Sequence, residues 1–151
     1  MYRSITRATV AAFALAMPVF SAGAGPADQV PAKSVAAKQN RLVIQVSDSD
    51  PAKWNLALNN ARNVQQDIGA ANVDIEIVVY GPGIGMLKMD SAAGNRVAEA
   101  MASGVKVVAC ENTMHVQKLT RADMLASIAY VSAGVVELMQ KQQQGWAYLR
   151  P

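Results

Sequence analysis

Apolar runs and helix-patterned segments alternate along this chain, and that alternation limits the fold more than any other feature. "RLVIQVS", "VDIEIVVYG", "VKVVAC", "SIAYVS" and "WAYLR" are short and rich in β-branched, aliphatic or aromatic residues, which is strand composition. Between them lie stretches whose apolar residues recur at helical spacing. After the first run, Asp50 stands as an N-cap and Pro51 as the first helical residue. Trp54, Ala57, Leu58, Ala61, Val64 and Ile68 then form one stripe, and Gly69 supplies the stop. The opposite side carries Asn55, Asn59, Asn63 and Gln66, a solvated surface or a polar contact surface in an oligomer.

The second run alternates Val73, Ile75, Ile77 and Val79 with Asp74, Glu76 and Val78, so one face is apolar throughout and the other becomes so towards its end. "GPGIG" breaks it. "SAAGNRVAEAMASG" follows as a helix, with Ser91 as cap, Ala93, Val97, Ala100 and Met101 on one stripe, and Gly104 closing it. Past "VKVVAC" the helical pattern resumes from Asn112 or Thr113, and "AGVVELMQKQQQG" reads as a last helix ending at Gly145. Strands joined through helices need crossover connections, which make neighbouring strands parallel and cover both faces of the sheet. The fold class is therefore α/β, a three-layer sandwich with a mainly parallel sheet of about five strands.

The N-terminus is of another kind. "MYRSITR" carries Arg3 and Arg7, "ATVAAFALAMPVF" is apolar but short for a bilayer span, and Ala22-Gly23-Ala24 is a small-x-small site. Residues 1–24 read as a secretory signal peptide cleaved after Ala24, which predicts a periplasmic protein with no membrane association after cleavage. The alternative is an uncleaved anchor, against which Pro18 in the apolar core and the cleavage pattern both weigh. Residues 25–40 are poor in large apolar side chains and read as a flexible linker, leaving one domain over 41–151. Losing Arg3 and Arg7 leaves 12 basic residues against 11 acidic ones. A near-neutral chain without a Lys/Arg cluster has no electrostatic footprint for nucleic acid.

The single cysteine, Cys110, excludes an internal disulfide. It stands where a strand ends and a helix begins, facing unsatisfied N–H groups and the positive end of the helix dipole, and both favour the thiolate. A thiolate so placed can accept and pass on sulfur as a persulfide. His115 and Lys118 are close enough in sequence to add positive charge, and Glu111 opposes them. The competing reading is a small buried hydrophobe. What weighs towards chemistry is the exported compartment, where a free thiol is exposed to oxidation.

"YGPGIGML" lies at another strand's carboxyl end. Its amides at Gly81, Gly83 and Gly85 could bind an anion, or the glycines could serve a tight connection. The pattern is neither G-x-G-x-x-G nor a P-loop, so no nucleotide cofactor is expected. Met86, Met89, Met114 and Met124 with His115 raise a minor possibility of Cu(I), although methionine at helical spacing is ordinarily core filler and no zinc-type spacing occurs. With one histidine and no G-x-S-x-G turn, a serine nucleophile has no basis.

Taken in order, "RLVIQVSDSDPAKWNLALNNARN", "VDIEIVVYGPGIGML", "ASGVKVVACENTM" and "YVSAGVVELMQKQQQGWAYLRP" resemble the DsrE/DsrF-like family from Arg41 to the C-terminus. "ACENTM" resembles the segment carrying that family's sulfur-accepting cysteine. The resemblance implies a flavodoxin-like fold, a sulfur-relay role, a persulfide on Cys110, and assembly into trimers or hexamers. Asn112, Thr113, His115 and the glycine loop are neighbours by position. The family's best understood members act in the cytoplasm inside mixed complexes, whereas this chain carries an export leader. Two functions are thus expected: a sulfur carrier or sulfurtransferase-like protein that exchanges sulfur with a partner's thiol or persulfide, or a non-catalytic homo-oligomeric module binding a small ligand or partner protein.

Overall fold

The computed structural model describes residues 40–151. The leader and the linker read over residues 1–24 and 25–40 lie outside it, except Asn40, which already belongs to the first strand. Strands β1 (Asn40–Val46), β2 (Val73–Val79), β3 (Lys106–Cys110), β4 (Ala129–Val131) and β5 (Ala147–Leu149) form one sheet in the order β4-β3-β2-β1-β5, with every neighbouring pair parallel. Helices α1 (Pro51–Ile68), α2 (Gly94–Ala102), α3 (Glu111–Val116) and α4 (Gly134–Gln143) connect them.

Strand alternation divides the buried side chains between two layers. On one face Ile44, Val46, Ile75, Ile77, Val79, Val107 and Ala109 pack with Trp54, Leu58 and Ala61 of α1, Val97 of α2 and Met114 of α3. On the other, Val43, Val78 and Val108 meet Leu138 of α4, with Tyr80, Val131 and Trp146 at the margin. Each fully buried aliphatic side chain contributes about 1.5–3 kcal/mol, so the first layer holds most of the core.

The start of α1 is as its sequence dictates. The Asp50 carboxylate accepts the Ala52 N–H at 2.8 Å, Pro51 opens the helix, and Gly69 ends it at φ +89°. Ser91, in contrast, is not the cap of α2. Its Oγ accepts the Ala93 N–H at 3.2 Å and its carbonyl accepts the Gly94 N–H at 3.0 Å, which makes a separate turn ahead of a helix that begins at Gly94. The "GPGIG" break forms a 3-10 segment over Gly81–Leu87. At Gly83 a Cβ would come within 2.6 Å of the Val46 carbonyl oxygen, so only glycine allows the chain to cross the end of β1 there.

The α4 face also buries charge. Glu76 is 1% exposed, with both carboxylate oxygens shielded from water. Its Oε2 lies 2.8 Å from Lys141 Nζ and 3.0 Å from Lys106 Nζ. Lys141 is also 3.5 Å from Glu137 and sits 4.2 Å above the Trp146 ring. Burial pushes the Glu76 carboxyl up, but the Lys141 and Lys106 ammonium groups outweigh it and hold the acid below its ordinary value. For Glu137, burial and then the neighbouring Glu76 push it up, against the pull of Lys141.

Candidate functional site

Cys110 is the last residue of β3 and the N-cap of α3, at φ −78° and ψ 114°. The helix starts at Glu111, one or two residues earlier than its polar pattern predicts, so strand and helix meet at the thiol itself. The residue is 4% exposed. Its Sγ lies 4.0 Å from the carbonyl oxygen of Ser132, in the β4–α4 connection, and the Asn112 N–H donates to that same oxygen at 3.1 Å. The connection is thereby stitched to the first turn of α3.

The sulfur is surrounded by donors. Thr113 Oγ1 accepts the Gly81 N–H at 2.9 Å, which leaves its own O–H free to donate to Cys110 Sγ. Burial pushes the thiol up, yet the Thr113 hydroxyl and the backbone amides of Gly134, Thr113 and Asn112 outweigh it and bring the thiol below its ordinary value. The start of α3 and the β4–α4 connection therefore both lie beside the sulfur. The opposing charge of Glu111 is met by Arg121 at 2.8 Å, and Arg121 in turn lies 4.4 Å over the Tyr130 ring.

The glycine loop reaches the thiol only through Thr113. The Gly81 amide is committed to that hydroxyl and the Gly83 amide to the Tyr80 carbonyl at 3.1 Å, so neither is open to an anion. Gly85 packs beside the Trp54 ring, where a Cβ would stand 3.2 Å away. Asn112 is exposed and contributes its backbone. His115 is exposed on α3, and its imidazole has no hydrogen-bond or ion-pair partner among the described residues. Because α3 has only six residues, Lys118 falls beyond its end, in a left-handed turn at φ +56°, and is not brought round to the sulfur. Met86, Met114 and Met124 are core side chains. Among the described residues no group of three or more His, Cys, Asp or Glu is placed to hold a metal ion, and no helix is long and apolar enough to cross a membrane.

Ser132 and Gly134 escape a reading of the sequence because they lie more than twenty residues beyond Cys110. Their signal is the repeat of the same strand-to-helix junction, "YVSAG" after "VACEN". Parallel pairing of β3 with β4, which aligns Cys110 with Val131, brings the two junctions side by side.

A family model described as the DsrE/DsrF-like family matches residues 40–151. Among solved structures, the chain is similar to MTH1491 from Methanobacterium thermoautotrophicum, a protein of unknown function. The two are 34% identical with a TM-score of 0.71, over 74% of this chain and 99% of that one. It shares its fold with BT1422 from Bacteroides thetaiotaomicron, also of unknown function, at 16% identity and TM-score 0.56, over 74% and 95% of the two chains. The ychN protein of E. coli shares the fold at 11% identity and TM-score 0.58, over 75% and 99%. A comparison with curated proteins finds no match.

Proposed function

The chain belongs to the DsrE/DsrF-like family, and from that premise we propose that it is an exported sulfur-relay protein carrying sulfane sulfur as a persulfide on Cys110. The observation that carries this reading is the place of Cys110, the last residue of β3 and the N-cap of α3, beside a Thr113 hydroxyl whose oxygen is held by the Gly81 N–H at 2.9 Å; that hydroxyl and the neighbouring backbone amides bring the thiol below its ordinary value despite burial. Loading is an attack of that thiolate on a terminal sulfur of a polysulfide. A new S–S bond forms at Cys110, the donor's S–S bond breaks, and the electron pair leaves on a polysulfide one sulfur shorter. Unloading is an attack by a partner's thiolate on the outer sulfur of the protonated persulfide. The Cys110 S–S bond breaks, Cys110 returns to thiolate, and the partner leaves as the persulfide with its proton.

Export follows from the leader read over residues 1–24, and self-association from the exposed apolar residues on the α4 side, Val135, Val136, Met139 and Tyr148. A sedimentation run at micromolar concentration should show more than monomer, and monomer alone would remove self-association from the reading. The low exposure of Cys110 favours a second function, a binding module in which the thiol is structural. Intact mass after incubation with polysulfide, beside Cys110→Ser, separates the two. A reducible gain of sulfur in the wild type alone is the expected result. No gain, with the thiol also resistant to alkylation in the folded state, would make Cys110 a buried core residue and turn the reading to the binding module.

A further inference from the structure

We propose that the cleft between α1 and α2 binds a small organic monocarboxylate, with its carboxylate held by Arg62 and Arg96 and its hydrocarbon part lying on Leu58, Ala61, Ala100 and Val105. The inference goes beyond the sulfur-relay reading and does not depend on it, since these residues belong to the α1–α2 layer and take no part in the surroundings of Cys110.

The cleft exists because the two helices, which share one face of the sheet, meet there through small side chains. Ala61 of α1 is buried and Ala100 of α2 is half-buried, and two methyl groups do not fill the gap between the helices. A space of about 130 Å³ remains, against about 30 Å³ for the share of one water molecule. Two polar bridges frame it. At one end Arg96 reaches across to α1, where its Nη1 donates to the side-chain oxygen of Asn55 and its Nη2 to Asn59 Oδ1 at 2.7 Å. At the other, Gln65 Nε2 donates to the Ser103 carbonyl at 2.9 Å, and Ser103 Oγ donates to Gln65 Oε1 at 3.0 Å. From Asn59 to Gln65 the helix rises about 9 Å, which is room for a short guest. Part of the asparagine row on α1 is therefore not a plain solvated surface, because Asn55 and Asn59 hold an arginine.

The charges specify the guest. Asn55 and Asn59 offer neutral oxygens, so the half-buried Arg96 guanidinium keeps its full charge, whereas the buried Glu76 carboxylate is met by two ammonium groups. The bonds to α1 take at most three of the five N–H donors of Arg96. Arg62 stands three residues past Asn59 on the same side of α1. It also lines the cleft, and its guanidinium has no hydrogen-bond or ion-pair partner among the described residues. Glu99, at the rim, is the one acid among the lining residues. Two positive groups against one negative leave a single positive charge, which a monoanion neutralises and a dianion exceeds. A guanidinium fork matches the geometry of a carboxylate, and the apolar floor favours an organic anion over an inorganic one. Clamping α1 to α2 accounts for Arg96 alone. It leaves Arg62 and the open space without a part.

The experiment follows the backbone amides of the isotopically labelled whole protein by NMR while sodium butyrate is added at constant ionic strength in exchange for sodium chloride. Butanol and sodium sulfate are titrated in parallel, and butyrate is repeated on Arg62→Gln and Ala100→Leu. The expected result is a saturable shift at Ala61, Arg62, Ala100 and Ser103 with butyrate, and binding of butanol and of sulfate weaker by about tenfold, as for loss of charge-assisted hydrogen bonds or of charge balance. Arg62→Gln, a change at an exposed side chain, should weaken butyrate by about tenfold as well. Ala100→Leu fills the gap and should abolish the shift. Butyrate shifts that do not saturate overturn the proposal. Equal binding of butanol would leave only an apolar gap, and equal binding of sulfate an adventitious ion only; either result also overturns it, as does undiminished butyrate affinity in Arg62→Gln. Should Ala100→Leu not fold, Arg62→Gln decides alone. No step of the test involves sulfur, so its outcome is separate from whether Cys110 carries a persulfide.

Discussion

Replacing Thr113 by Val keeps the side chain's shape and removes its hydroxyl, the one group that joins the glycine loop to the thiol. Two hydrogen bonds go with it. The Gly81 N–H, now 2.9 Å from Oγ1 and only partly accessible, loses its acceptor, and an amide left unsatisfied costs about 1–3 kcal/mol. Partial access to water offsets some of this, so the expected loss of stability is about 1–2 kcal/mol, or roughly 5–10 °C in Tm for a domain of this size. The second loss falls on the sulfur. Hydrogen bonds to charged acceptors are worth about 1.5–3 kcal/mol, so thiolate-dependent alkylation at a fixed pH below the titration should slow by about tenfold or more. Urea unfolding gives the first quantity, and thiolate absorbance with alkylation rates gives the second. Thr113→Ser, which restores the hydroxyl, should recover most of both. A Val variant within about 0.5 kcal/mol of wild type and with an unmoved thiol titration would refute the reasoning, because the hydroxyl would then be serving neither partner.

Gly83→Ala places a Cβ 2.6 Å from the Val46 carbonyl oxygen and 2.9 Å from its carbon, both backbone atoms that cannot rotate away. Urea unfolding should show a loss of about 2–3 kcal/mol, and a neutral result would mean that the loop moves freely over β1. The Cys110 thiol is depressed in the folded state, so its stabilising contribution is complete above the ordinary cysteine value and is lost as pH falls through the folded one. The stability of wild type relative to Cys110→Ser should accordingly rise with pH across that window, as urea midpoints at several pH values would show; a flat difference contradicts the donor shell. Glu137 is raised in the folded state by burial and by Glu76, so its ionisation opposes folding above its folded value. Glu137→Gln should therefore raise Tm slightly at neutral pH and lose that advantage as the pH falls towards the ordinary glutamate range. A Tm lowered at neutral pH would mean that its ion pair with Lys141 outweighs the repulsion.

Most of the fold is legible because its signals are local. Asp50 followed by Pro51, the stripe from Trp54 to Ile68 and the glycine after it specify α1 at both ends without reference to anything distant. Ser91 misleads because a serine hydroxyl caps a turn as readily as a helix, and Gly94 two residues past Ala92 permits the later start. At the site, Cys110 and Thr113 can be paired from sequence, since three residues across a helix start bring a hydroxyl back over the cap. Ser132 cannot be found that way, because its carbonyl comes to the sulfur only through β4 lying next to β3. Glu76 is the clearest omission. Alternation in "VDIEIVV" invites a solvent-facing reading of the acidic positions, but a parallel sheet has both faces covered. A carboxylate next to Val78 therefore has to find cations, and Lys106, directly opposite it on β3, and Lys141 on α4 are those cations.

The order of strands in the sheet also imposes an order in time. β1 is paired along its whole length with β2, which follows it closely, but its other edge is completed by β5, whose Ala147, Tyr148 and Leu149 stand against Leu42, Val43 and Ile44. Translation delivers those partners more than a hundred residues after β1. For that interval the backbone of β1 presents a row of unpaired N–H and C=O groups, and the two-layered core cannot close over it. In a cytosolic enzyme such an open edge is chiefly a hazard of misassociation. Under the export proposed for this chain, the same delay would leave the sheet incomplete for the part of its life when folding would block its passage through a membrane.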